Sequence, residues 1–202
     1  PVDAASAVVA WAGEADPNVG VYLYEGWPEM AGVTGRFPPN AGGLAEYHSF
    51  ATGAYAAWYV EFAANISAAA PDRDVSLIPV SRVLSSVMME TALAELPAET
   101  FYVDDSPHGT PALYLMAAMV AYNTIYAQPL PESFRPPNSI APELRATFPM
   151  VRDAIWERVS GLEDVVSIAA PGHAMETTST EEMAPKKGVS MTVAATGPVY
   201  SE

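Results

Sequence analysis

The chain has no cysteine among its 202 residues, which excludes disulfides, thiolate metal sites and a cysteine nucleophile. Basic residues are scarce: nine Lys and Arg stand against 24 Asp and Glu, for a formal net charge of -15. A surface that negative repels phosphate backbones, so no nucleic-acid partner is expected. Lys186-Lys187 is the only adjacent basic pair, too small for a nucleic-acid or membrane-surface patch. Histidine occurs only as His48, His108 and His173, and none falls in an H-x-x-x-H or H-E-x-x-H spacing. Neither a metal site nor a cofactor is therefore expected. No apolar run reaches the length of a membrane span. No signal peptide is visible, and the first residue is Pro1 rather than Met, so the expectation is a mature, processed or truncated product. The absence of cysteine suits the cytosol or a disulfide-free secreted protein, and the expectation leans to a secreted or periplasmic one.

What is present is the material of a folded core. Half of the residues are hydrophobic and 16% are charged, and the length suffices for one domain. Nineteen prolines and 13 glycines imply many loops. Residues 1–16 read as a helix stopping near Gly13. Residues 19–24 form an apolar run of buried-strand type, followed by Glu25-Gly26-Trp27. A Gly- and Pro-rich loop covers 31–45. The spacing of Tyr47, Phe50, Tyr55, Trp58, Tyr59, Phe62 and Ile66 predicts one helix over 45–70 whose aromatic stripe is core. A second strand is predicted at 75–80, then helices over 81–96, 110–127 and 143–159, with Pro149 able to kink the last. Beyond 160 the character changes, with strands conceivable at 165–168 and 189–199 around a polar stretch containing His173. The division is thus a domain over 1–160 and an extension over 161–202. Strand, helix, strand, helix, loop, helix is the order of an α/β fold with a parallel sheet. In such folds ligands bind at the C-terminal ends of the strands.

Three segments fall at such ends: Glu25 to Trp27, Ser81-Arg82, and Tyr102-Val103-Asp104-Asp105-Ser106-Pro107-His108-Gly109. The last is the most chemical. A carboxylate that fixes one imidazole nitrogen leaves the other free to take a proton from a hydroxyl nucleophile. Pro107 and Gly109 supply the turn that lets acid and histidine meet. The plainer reading makes Asp104 or Asp105 a cap of the next helix and His108 a surface residue. The strand-end convergence favours the chemical one, with Asp105 and His108 as the catalytic pair and Glu25, Trp27 and Ser81 lining a substrate pocket. Ser81 alternatively caps the helix that follows it. Ser49 and Ser81 both lack the strained-turn signature of a nucleophile elbow.

The stretch from Tyr102 to His108, followed by Leu113-Tyr114-Leu115-Met116-Ala117-Ala118-Met119-Val120-Ala121-Tyr122, resembles the last conserved block of the SGNH (GDSL-like) hydrolases. The strand Val21-Tyr22-Leu23-Tyr24-Glu25-Gly26-Trp27 is similar to one ending in a Tyr-x-x-Trp or Thr-Trp element in a bacterial branch of that superfamily, and Leu77-Ile78-Pro79-Val80 to the strand after it. The resemblance covers roughly residues 1–160. It implies a three-layer α/β/α fold of flavodoxin-like type and a serine esterase or acetyl-ester hydrolase, with His108 as base and Asp105 as its orienting acid.

The sequence departs from the family's pattern in one respect. It contains no Gly-Asp-Ser, no Gly-x-Ser-x-Gly and no Gly-x-Asn-Asp. The resemblance then implies the C-terminal half of the domain, with the nucleophile on an N-terminal segment outside these residues. Two parallel strands leave an apolar sheet side to be covered, and exposed apolar patches of that size are rare in monomers. The expected partners are therefore a small ester substrate and an N-terminal fragment, a second copy or an assembly subunit. The alternative is a non-catalytic binding or assembly subunit that retains the fold.

Overall fold

The sheet has two strands, β1 (Val21–Tyr24) and β2 (Val75–Ile78), paired in parallel with Val21 opposite Val75 and Leu23 opposite Leu77. The computed structural model describes residues 1–162. Successive strand side chains point to opposite faces, so each face meets its own apolar cluster. Leu23, Val75 and Leu77 pack with Val9 of α1 (Val2–Ala15) and with Tyr59, Phe62, Ala63 and Ile66 of α4 (Ala56–Ala69). Ile78, with the half-buried Tyr22 and Tyr24, belongs to the second cluster.

Three helices supply most of that second cluster. α5 (Val80–Glu90) contributes Val83, Leu84, Val87 and Met88, and α6 (Pro111–Tyr126) contributes Leu113, Met116, Met119 and Val120. α7 (Pro142–Ser160) contributes Leu144, Phe148, Val151, Ile155 and Val159, a spacing of three and four that keeps one helical face inward. Each such side chain stabilises by about 1.5–3 kcal/mol on burial. The fold is helix-rich with a small parallel sheet, compatible with the α/β class. Among the described residues no helix is long and apolar enough to cross a membrane.

Several elements differ from the sequence-based expectation. α1 runs on past Gly13, whose carbonyl accepts a hydrogen bond from the Arg73 guanidinium at 2.9 Å. The loop predicted over 31–45 contains a single helical turn, α2 (Ala31–Thr34), and the start of α3 (Ala41–Phe50), capped by the Asn40 side chain accepting from Gly43 N–H at 2.8 Å. The helix predicted over 45–70 is broken between α3 and α4 by a π-type turn (Ala51–Tyr55), where Gly53 leaves helical geometry at φ -99 and ψ -107. The helix predicted over 81–96 is α5 followed by a 3-10 turn (Ala92–Glu95). Thr110 caps α6, which starts at Pro111, where the missing N–H is harmless. Tyr114 and Tyr126 of this helix are exposed. Pro149 lies within α7, which continues through it. The strands conceived at 165–168 and 189–199, His173 and Lys186-Lys187 lie outside the described residues.

Candidate functional site

The segment after the 3-10 turn Ala98–Thr100 folds back on itself as a short antiparallel hairpin. Tyr102 bridges Gly109, Val103 N–H donates to His108 C=O at 2.7 Å, and Thr110 N–H donates to Phe101 C=O at 2.8 Å. The loop of this hairpin is wound around one carboxylate. Asp104 Oδ1 accepts from the main-chain N–H of Ser106 at 3.1 Å and of His108 at 3.0 Å. Asp104 Oδ2 meets His108 Nδ1 at 2.7 Å. An aspartate that satisfies main-chain donors two and four residues ahead makes the tight turn by itself. These main-chain bonds from His108, then its ring, hold the Asp104 carboxyl below the usual carboxylate range.

The acid that holds His108 is therefore Asp104, not Asp105 as expected. Asp105 is fixed through its main chain instead: its carbonyl accepts from Met30 N–H at 3.0 Å and Ala31 N–H at 3.1 Å, at the start of α2. Among the described residues its carboxylate makes no hydrogen bond. The carboxylate of Asp104 accepts, so Nδ1 carries the proton and Nε2 is the basic nitrogen. The pair sits on the surface, with 69% of the His108 side chain and 42% of that of Asp104 exposed.

The end of β1 is stitched to this hairpin, although among the described residues the hairpin follows no strand of the sheet and is not itself a parallel strand end. Trp27 Nε1–H donates to Pro107 C=O at 2.8 Å, and the Trp27 ring lies 5.8 Å from that of Tyr114 on α6. Tyr47 O–H donates to Pro28 C=O at 2.8 Å. Gly109 approaches Tyr114 closely: a Cβ there would stand 3.2 Å from the ring, and its N–H donates to the Tyr114 hydroxyl.

Glu25 and Ser81 take other places than a solvent-facing pocket. Glu25 is fully buried. Its Oε1 accepts from Arg82 N–H at 2.8 Å, and its Oε2 from Arg82 Nε at 2.8 Å and from Nη2. A carboxylate at the end of β1 thus serves a main-chain donor at the first turn of α5 while pairing with a guanidinium, which reaches on to the Ala56 carbonyl. Burial pushes the Glu25 carboxyl up, and the hydrogen bonds and charge of Arg82 oppose that shift. Ser81 does not cap α5, which starts at Val80; its hydroxyl is buried and without a hydrogen-bond partner among the described residues.

A second histidine site was not anticipated. His48 on α3 is 3% exposed, and its Nδ1 shares a 3.0 Å hydrogen bond with Ser85 Oγ on α5. Burial lowers its pKa to about 4. The two residues are 37 apart, and the only sequence sign is that His48 adjoins the buried Tyr47 on the aromatic stripe. Among the described residues no group of three or more His, Asp or Glu could hold a metal ion.

Set against known proteins, the chain matches no protein-family model, no curated protein and no solved structure.

Proposed function

We propose that this chain carries the general base of a serine-type ester hydrolase of SGNH kind. The reading is carried by one observation: a carboxylate fixes His108 Nδ1 at 2.7 Å in a loop wound around it, leaving Nε2 on an exposed rim. In the proposed reaction Nε2 takes the proton of a serine hydroxyl as its oxygen attacks the ester carbonyl. It then gives that proton to the departing alkoxide, and activates a water that releases the acid. Asp104 holds the tautomer and stabilises the imidazolium. Trp27 forms the wall beside the loop. The serine comes from a segment outside these residues, and the full fold is a three-layer α/β/α domain completed beside β1. The substrate is a small ester, and the setting is secreted or periplasmic.

The test is to express this chain together with the coding sequence upstream of Pro1, label it with a fluorophosphonate and assay 4-nitrophenyl acetate. Labelling and turnover, with turnover abolished by His108→Ala, support the reading. An upstream segment that takes no label and adds no turnover overturns it.

A second reading, a non-catalytic assembly subunit, is favoured by the apolar cleft between α1 and β1. Val8, Ala12, Val19, Tyr22 and Leu23 line it, and among the described residues β1 pairs only with β2. Under either reading the occupant is an added strand that pairs with β1 and buries these side chains. Light scattering separates the two: assembly without ester turnover is the outcome that favours the subunit.

A further inference from the structure

His48 lies in the wall of a pocket far from the polar loop chemistry in character. The pocket has a volume of about 350 Å³, at the low end of the roughly 300–1,000 Å³ usual for small-molecule sites. Its lining is apolar: Leu44, Met88, Leu93, Leu96 and Phe101 carry most of it, with alanines of α3 and the 3-10 turn at the rim. Two polar side chains reach it, His48 and Tyr102, and no charged side chain does. The Tyr102 hydroxyl is already directed at Met88 Sδ, 4.0 Å away. His48 is different. Ser85 holds Nδ1, the edge of the Tyr47 ring stands beside the imidazole, and Nε2 has no hydrogen-bond partner among the described residues. Nε2 is not among the fully enclosed polar atoms that lack a partner, so in a side chain lining the pocket it remains open to a hydrogen bond from a ligand there.

We propose that this pocket binds an uncharged aliphatic alcohol, its chain against the methionines and leucines and its hydroxyl on His48 Nε2. An ion is disfavoured twice: no opposite charge lines the pocket, and anions meet the net charge of -15. A hydroxyl fits for a further reason. The Ser85 bond allows either tautomer of His48, so Nε2 either donates or accepts, and a hydroxyl answers both. Unbranched methionines at the wall adapt to chains of different shape. The site does not depend on the esterase reading, although Phe101 and Tyr102 form both a pocket wall and the base of the hairpin that bears Asp104 and His108.

The experiment titrates the full chain with 1-octanol, with octane and octanoate as parallel probes, followed by two-dimensional NMR of labelled protein. The expected result is saturable 1:1 binding of octanol with shifts at His48, Leu93 and Phe101, and weaker binding of both other probes. His48→Phe keeps an aromatic ring and lowers octanol affinity about 3- to 10-fold, the worth of one neutral hydrogen bond, to the level of octane. Ala45→Phe, at an exposed rim position, fills the mouth and abolishes binding while the melting temperature holds. Octanol binding that is absent, non-saturable, no tighter than octane or unchanged in Ala45→Phe overturns the proposal. Should His48→Phe fail to fold, the Ala45→Phe and octane arms decide it alone.

Discussion

The exposed rim and the polar interior solve opposite problems with similar residues. At the rim, His108 is largely in water and its carboxylate partner comes from four residues away. In the interior, His48 is almost wholly enclosed, has a hydroxyl partner and is neutral, while Glu25 is enclosed and has a guanidinium. Exposed charge pairs contribute little to stability because water screens them. Buried ones are costly to break, because the remaining partner stays out of water. At the rim Asp104 holds the turn through main-chain donors, but its contact with the exposed His108 ring adds little stability, whereas the interior needs each polar partner it has. Under the proposed function that contrast puts chemistry at the rim and stability in the interior, and each assignment can be broken separately.

The largest expected effect is on the rim. If the proposed esterase is completed by its serine, Asp104→Asn should lower kcat by about 10⁴-fold, because the amide no longer fixes the tautomer of His108. Asp105→Asn should leave kcat within a few-fold of wild type. Steady-state ester hydrolysis by both variants checks this. Equal losses, or a loss at Asp105 alone, would return the orienting role to the residue the sequence favoured.

The interior should respond in stability instead. Arg82→Met leaves the Glu25 carboxylate buried without its cation and should cost about 3–5 kcal/mol in urea unfolding. Glu25→Gln with Arg82→Met should recover part of that loss, since no uncompensated charge remains. A single Arg82→Met variant within 1 kcal/mol, about the scale of an exposed pair, would show that the interior assignment fails.

Acid tests the buried histidine next. His48 has its folded pKa lowered to about 4 from the ordinary 6.5. Between those values the unfolded chain binds the extra proton and the folded chain does not, so stability falls as pH drops through that window. The full shift corresponds to about 3 kcal/mol. Urea melts at pH 7 and pH 4 should show this slope in wild type, above what the carboxylates contribute, and lack it in His48→Gln. Identical pH dependence in the two proteins would mean that His48 is not held neutral by its surroundings.

Much of the scaffold was legible because it rests on periodic apolar residues. Leu144, Phe148, Val151, Ile155 and Val159 mark α7, and the two apolar runs mark β1 and β2. The break between α3 and α4 was hidden, because Tyr47, Tyr59 and Phe62 keep helical spacing through a π-type turn that only Gly53 betrays. The candidate site was legible to the level of the loop and no finer. Which aspartate meets His108 is decided by main-chain donors at Ser106 and His108, and a D-x-x-H spacing says nothing about those. Glu25–Arg82 and His48–Ser85 join residues 57 and 37 apart, through packing that local patterns do not encode.

The smallest expected effect concerns the seam between the rim and the scaffold. Trp27 Nε1 is the side-chain donor that ties the end of β1 to Pro107, one residue before His108. Trp27→Phe removes that bond and keeps a ring to pack on Tyr114, so stability should fall by about 0.5–1.5 kcal/mol, the usual net worth of one hydrogen bond. If the bond only stabilises, kcat in the completed enzyme stays as it was. If it also positions the imidazole, kcat drops several-fold with KM little changed, because the loop can still bind substrate but holds Nε2 less well. The second outcome follows from an exposed loop whose precision must be borrowed from a buried neighbour. An unchanged kcat beside the expected loss of stability would mean that Asp104 alone sets the imidazole.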